Sequence, residues 1–173
     1  MREVLIEGKR LRLRRANATD LSYIMMLQYT PENSKFIVPF DEDYHREIIN
    51  SGGAEKLDVI VEEIDTGLAA GYFMLRKLNS PCIEFTHVII GRKGIGYGRE
   101  ALKLLIKWSF EVKEFHRIWI DCKDYNKVAL RLYESLGFVR EGFLREIILT
   151  NGVYENLIVL GMIDHEYFFE TKD

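Results

Sequence analysis

The chain is poor in the residues that staple or metallate small proteins: its 173 residues include two cysteines and four histidines. Cys82 and Cys122 come without a secretory leader, and they read as buried thiols rather than a disulfide or a metal pair. The histidines are scattered, with no H-x-x-x-H spacing and no cysteine cluster beside them, which argues against a zinc site. No apolar run is long enough to span a bilayer, and the opening Met1-Arg-Glu-Val-Leu-Ile-Glu lacks a signal-peptide pattern. A cytoplasmic protein without membrane attachment is therefore expected. Charge of one sign is also missing. Lys and Arg number 24 against 27 Asp and Glu, a net charge of −3, and the pI is near 5.9, so there is no general footprint for nucleic acid. The one basic cluster, Lys9-Arg10-Leu-Arg12-Leu-Arg14-Arg15, alternates with Leu11 and Leu13 and reads as a half-buried strand with a solvated charged face. No linker, repeat or low-complexity segment divides the chain. With 47% hydrophobic and 29% charged residues it is expected to form one domain over residues 1–173.

What is present is glycine in one telling place. Lys93-Gly94-Ile95-Gly96-Tyr97-Gly98 follows an apolar run, residues 83–90, and opens a long amphipathic helix. Glycines remove the Cβ atoms that would hold a ligand away from the backbone, and the first N–H groups of a helix lack internal partners. Such a loop suits a phosphate, held by amides and the positive end of the helix dipole. The P-loop pattern G-x-x-x-x-G-K-[ST] is absent, so Walker-type NTP chemistry is disfavoured. A dinucleotide-binding oxidoreductase would need G-x-G-x-x-G at the start of a Rossmann half, whereas this loop lies mid-chain behind several strand candidates.

A second segment runs Asn126-Lys-Val-Ala-Leu-Arg-Leu-Tyr133-Glu-Ser-Leu-Gly137-Phe138. Asn126 is a good N-cap, Val128, Ala129, Leu132 and Leu136 form an apolar stripe, and Gly137 is placed to end the helix. Asn126 and Tyr133, two turns apart, project to nearly the same side, so an amide and a phenol could reach one ligand.

Together these two segments resemble the GNAT acetyltransferase superfamily, with its Arg/Gln-x-x-Gly-x-Gly/Ala loop and Asn-x-x-Ala-x-x-x-Tyr-x-x-x-Gly-Phe helix. Gly96-Tyr97-Gly98-Arg99-Glu100-Ala101 and the late Asn151-Gly152 turn are similar to the branch of ribosomal-protein N-terminal and polyamine acetyltransferases. Lys93 stands where the family usually has Arg or Gln. The resemblance implies acetyl-CoA as cosubstrate. Its pyrophosphate would take backbone N–H groups from Lys93, Gly94, Ile95, Gly96, Tyr97, Gly98 and Arg99, with Arg92, Lys93 and Arg99 adding positive charge. Its pantetheine arm would pair with the strand edge at Val88 and Ile90 and lie against Asn126, Ala129 and Tyr133. Tyr133, as a phenol of ordinary pKa, would serve the leaving sulfur as general acid.

The chain pattern implies strands at 11–15, 57–64, 68–78, 83–90, 117–122, 138–149 and 154–163. Helices are expected at 18–29, 41–51, from the glycine loop to about residue 112, and from Asn126. Asp65-Thr66-Gly67, Asn79-Ser80-Pro81 and Thr150-Asn151-Gly152 are the turns. The expected fold is α/β (α+β): a mixed, mostly antiparallel central sheet of about seven strands flanked by about four helices, GNAT-like.

Amine acetylation needs a proton acceptor, oxyanion donors and a proton for the thiolate. Glu84, on the cofactor strand, is the candidate base, expected on one face with Thr86 and Val88 while His87 faces the other way. By the resemblance, residues 30–40 and the last hairpin near Asn151 wall the acceptor groove. Glu32, Asp41, Glu42 and Asp43 make that region acidic, which suits a cationic amine of a polyamine or a protein N-terminus; negative charge at a helix start explains Asp41 to Asp43 equally well. A same-fold protein that binds acyl-CoA without turnover is the alternative, and the last strands offer a surface on which a homodimer would form.

Overall fold

The computed structural model describes residues 3–78 and 81–170, with the side chain of Glu170 left aside. The turn expected at Asn79-Ser80-Pro81 lies largely outside the described residues.

One eight-stranded sheet carries the fold: β1 (Val4–Glu7), β2 (Leu11–Arg15), β3 (Lys56–Glu63), β4 (Ala69–Lys77), β5 (Cys82–Ile90), β6 (Arg117–Lys123), β7 (Val139–Thr150) and β8 (Val153–Ile163). Their order is β1-β2-β3-β4-β5-β6-β8-β7. Every pair is antiparallel except β5 with β6. The sheet has one strand more than expected, because the short Val4–Glu7 segment pairs with β2 at the edge. The helices are α1 (Leu21–Tyr29), α2 (Pro31–Ser34), α3 (Glu42–Asn50), α4 (Tyr97–Lys107), α5 (Lys127–Glu134) and α6 (Asp164–Glu170). A π-helical turn, Trp108–Val112, continues α4.

The two faces of the sheet are buried under different helices. On one, Leu13, Val61, Phe73, Ile83 and Phe85 pack with Leu102 and Leu105 of α4 and Leu130 and Tyr133 of α5. On the other, Ile60, Tyr72, Met74 and Ile89 pack with Ile24 and Leu27 of α1 and Ile48 of α3. Covering on both sides explains why β3 and β4 read as near-continuous buried runs rather than alternating ones.

The arginine-rich strand departs from its expected solvated face. Arg14 is 2% exposed and binds Asp20 at 2.8 and 2.9 Å and Glu62 at 2.5 Å. Arg12 pairs with Glu62 as well. The cause is position: β2 runs between β1 and β3, and the turn Ala18–Asp20, capped by Asn17, folds Asp20 over it. A buried carboxylate without these partners would be strongly unfavourable. In the same way Asp58 of β3, buried, is held by His45 at 2.8 Å and Tyr72 at 3.3 Å.

β5 and β6 position the site. They pair only from Cys82↔Arg117 to Phe85↔Ile120, while β5 continues to Ile90 and β6 to Lys123. Beyond the last pair the strands part, so the β6-facing edge of Thr86 to Ile90 has no strand partner. At that vertex β5 carries a bulge: Met74 faces His87 and Leu75 faces Phe85, which leaves Thr86 as the extra residue.

The bulge overturns the expected alternation. Ile83 and Phe85 lie on the α4 and α5 face with Val88 and Ile90. Glu84 pairs across from Arg76, which follows Tyr72 and Met74 on the opposite face. His87 meets the rings of Phe40 and Tyr72 there too. Glu84 and His87 therefore share a face, and Val88 points away from both.

Candidate active site

A cavity of about 870 Å³ occupies the gap between the parted strands. It brings together Glu84, Val88, Ile90, Arg92, Lys93, Gly94, Gly96, Tyr97, Gly98, Arg99, Asn126, Ala129 and Tyr133; of the residues expected to hold the cofactor or carry the chemistry, Ile95 alone does not line it. Ile95 is 45% exposed.

The glycine loop supplies a helix N-terminus at one end. Gly94 and Gly96 have φ of 82° and 83°, and Gly96 is the N-cap of α4. Only glycine takes that left-handed conformation without strain. Gly98 has ordinary backbone geometry in the first turn, and a Cβ there would sit in normal contact with Leu132 and Ile90. The expected cations are not all free. Arg92 is paired with Glu63. Lys93 binds Asn33 at 2.8 Å and Glu32 at 3.2 Å, and Arg99 reaches the Ser135 hydroxyl at 2.5 Å. Arg10, which the sequence reading assigned to a solvated strand face, instead donates to the Ile95 carbonyl at 3.1 Å and binds Glu100 at 2.7 Å. It braces the loop from outside; no local pattern announces a contact across 85 residues.

Asn126 caps α5, its Oδ1 accepting from the Ala129 N–H at 3.3 Å. The side-chain NH₂ is the half left for a ligand. Tyr133 is 5% exposed. Burial, with the nearby Cys122 and Asp121, pushes its phenol well above the ordinary range expected for it. The phenol thus stays a donor at every physiological pH.

Glu84 lines the cavity, but it is not a free base. Arg76 holds it with Nε at 2.7 Å and Nη2 at 2.5 Å from Oε2. The same cavity contains a carboxylate that sequence reasoning passed over. Asp121 of β6 sits one residue past the last β5–β6 pair, and its carboxylate has no hydrogen bond or ion pair among the described residues. Burial, then Glu84, pushes its carboxyl up to about 6, against a smaller opposing effect of Arg76. The signal available in sequence was a lone charge inside the apolar run Ile118-Trp-Ile-Asp121-Cys.

The connection after α1 forms the remaining wall: Glu32, Asn33, Phe36, Ile37, Val38 and Phe40 line it, as do Ile148 and Leu157 of the last hairpin. Asn151 does not line it, and neither do Asp41, Glu42 and Asp43. Asp41 accepts from the Tyr44 N–H at 2.8 Å and Glu42 pairs with Arg46. Their charge serves the start of α3. The wall is pinned by Lys123, 1% exposed, which donates to the Lys35 carbonyl at 2.9 Å and meets Glu155 at 2.6 Å. Tyr125 donates to the same carbonyl at 2.8 Å. Among the described residues no cluster of His, Cys, Asp and Glu could hold a metal ion, and no helix is long and apolar enough to cross a membrane.

The parted parallel strand pair, the left-handed glycine loop at a helix N-terminus and the buried phenol on the next helix meet in this one cavity. The chain belongs to the acetyltransferase (GNAT) domain family, whose model matches residues 10–139. It is 26% identical to the uncharacterized N-acetyltransferase p20 of Bacillus licheniformis over 170 residues, 92% of this chain and 96% of that one. It is 31% identical to the spermidine N(1)-acetyltransferase of Escherichia coli strain K12 over 80 residues, 46% of this chain and 43% of that one. The match to the SPbeta prophage-derived uncharacterized N-acetyltransferase YokL of Bacillus subtilis, 32% over 75 residues, likewise spans 43% of this chain and 42% of that one. The chain thus spans under half the length of these last two relatives. Among solved structures, spermidine N-acetyltransferase from Vibrio cholerae in complex with CoA and spermine superposes with a TM-score of 0.82 at 25% identity, covering 93% of this chain and 99% of that one.

Proposed function

We propose that this protein transfers an acetyl group from acetyl-CoA to a primary amine that arrives as a cation, of the polyamine or polypeptide N-terminus class, by direct attack in a ternary complex. The observation that carries this reading is one cavity joining the Gly94–Gly96 loop, the Tyr133 phenol and an acidic acceptor side made by Glu32, Glu84 and Asp121. The similarity to spermidine acetyltransferases supports the polyamine arm of the proposal.

The cofactor enters from the α4 and α5 face. Backbone N–H groups from Lys93 to Arg99 take its pyrophosphate, and the free edge of β5 at Val88 and Ile90 pairs with its amides. Asn126 Nδ2 and Ala129 border the arm, and the thioester reaches the vertex beside Tyr133. Tyr133 then donates its proton toward the departing thiolate. The acceptor approaches from the other face, past Glu32 and Phe40. Glu84, fixed by Arg76, contributes negative charge there and orients the incoming ammonium.

Thiol release from acetyl-CoA across spermidine, spermine, simple amines and peptides with free N-termini tests the reading, with Tyr133→Phe alongside. Release with one acceptor class, and a fall of about 10²-fold or more in kcat for the variant, is the expected outcome. A Tyr133→Phe enzyme as fast as the native one would refute the acid assignment. A thermal shift with acetyl-CoA but no release with any amine would leave cofactor binding and remove the catalytic claim.

A further inference from the structure

We propose that Asp121 is the catalytic carboxylate that receives the acceptor's ammonium at the vertex of β5 and β6 and takes its proton. This deepens the amine-acetylation reading above and rests on it.

The argument begins with topology. Phe85↔Ile120 is the last pair before the strands part, so Asp121 on β6 and the Thr86 bulge on β5 are the first residues at the opening. Asp121 belongs to the face opposite Ile118, Ile120 and Cys122, which pack toward α4 and α5. It therefore lies on the acceptor side, with Glu84, while the thioester comes from the cofactor side. The two reactants can meet only where the strands separate, and that is where Asp121 stands.

The second observation is a set of unmet polar atoms in the same cavity. His87 is 4% exposed and its Nδ1 has no partner; the Thr86 hydroxyl is also buried without one. Both residues line the cavity. Burial first, and His45 next, bring His87 down to about 4 despite its hydrogen bond to the Val38 backbone. The ring is thus neutral, and Nδ1 offers a lone pair. An ammonium or an ordered water brings the N–H or O–H donors that Asp121 and His87 both lack.

The charged groups near Asp121 have partners of their own: two places along β6 on the same face, Lys123 is committed to Glu155 and the Lys35 carbonyl. Glu84 on β5 repels its charge, and Arg76 on β4 is committed to Glu84. Tyr133 on α5 and the Cys122 thiol, raised to about 12 chiefly by burial, are neutral. On β8 the residue opposite is Val159, and its neighbours from Leu157 to Gly161 carry no ionisable side chain. Arg117, further along β6, is paired with Glu141. Among the described residues no ion pair is made to Asp121, which leaves its carboxylate available to a cation brought by the substrate.

The step balances as follows. The ammonium gives one proton to Asp121, leaving a neutral amine and a carboxylic acid. The amine lone pair forms the C–N bond to the thioester carbon, and collapse of the oxyanion breaks C–S. The sulfur takes the Tyr133 proton, the phenol recovers one from the new amide nitrogen, and Asp121 releases its proton to solvent. One ammonium and one acetyl thioester give one amide, one thiol and one proton.

The test is the pH profile of kcat/KM from pH 5 to 10 for the native enzyme, Asp121→Asn and Glu84→Gln, with spermidine and a free-N-terminal peptide as acceptors. The native profile is expected to rise through an acid limb near 6. In Asp121→Asn that limb disappears, the rate at pH 7 falls 10²–10⁴-fold, and much of the loss is recovered toward pH 10, where the amine is already neutral. In Glu84→Gln the limb moves to lower pH, since a repelling charge is lost and Arg76 is released. A purely structural role would lower the rate equally at every pH, and that result overturns the proposal, as does an Asp121→Asn profile that keeps its acid limb. Native enzyme inactive on both acceptors across the range would instead bring down the amine-acetylation reading, and this proposal with it.

Discussion

A carboxylate without a partner on the protein should cost stability, and replacing Asp121 with Asn measures that cost. The ordinary value for this side chain is 3.8, and the folded protein raises it to about 6. Between these values the native state binds more protons than the unfolded one, so stability falls as pH rises through the window. The cost is complete above about pH 7 and absent below about pH 4. About two pKa units at 1.36 kcal/mol each give an upper bound of roughly 3 kcal/mol, and about 2 kcal/mol is reasonable for a group that still reaches the cavity. Asn keeps the shape and removes the titration. Urea unfolding at pH 8 should therefore show the variant more stable by about 2 kcal/mol, or a Tm higher by roughly 4–8 °C for a chain of this size. At pH 3.5, where the carboxyl is mostly protonated in both the native and the unfolded state, the difference should shrink to a few tenths of a kcal/mol. Equal stability at pH 8, or a gain of the same size at both pH values, would refute the reasoning. Stabilisation together with loss of activity would mark Asp121 as a group kept for function at the expense of the fold.

Gly96→Ala forces a side chain into a φ of 83°, at roughly 1–2 kcal/mol of stability; calorimetry should also show acetyl-CoA binding weakened more than in Gly98→Ala, whose Cβ meets only ordinary contacts. Lys123→Met leaves Glu155 without its buried cation and unpins the Lys35 carbonyl. It should cost roughly 3 kcal/mol in denaturant unfolding and raise the acceptor KM while the acetyl-CoA affinity changes little; a wall that depends on Lys123 predicts that asymmetry, and an equal loss of both affinities would contradict it.

Local patterns carried much of the fold into view. The Asp65-Thr66-Gly67 and Asn151-Gly152 turns lie where their residues demand, the latter with φ of 50° and 80°. The loop and Asn126 cap are likewise legible, because glycine conformation and helix capping involve only a few consecutive residues. The acidic run Asp41 to Asp43 had two readings, and the hydrogen bond from Tyr44 N–H decides for the cap. β1 escaped because four residues at an edge give too short a pattern, and its pairing depends on β2.

What sequence alone determined, then, is whatever is encoded over one turn or one helix: the strand and helix periods, the left-handed glycines, the N-cap and the family to which these point. Tertiary structure decided what depends on residues far apart in the chain. The Thr86 bulge turned His87 onto the face of Glu84, because one added residue reverses a period of two. Arg76 engaged Glu84, Glu62 drew in Arg12 and Arg14 of β2, and Arg10 crossed to the glycine loop. Only the parting of β5 and β6 set Asp121 at the vertex without a counter-charge, since pairing register and burial are properties of strands brought together.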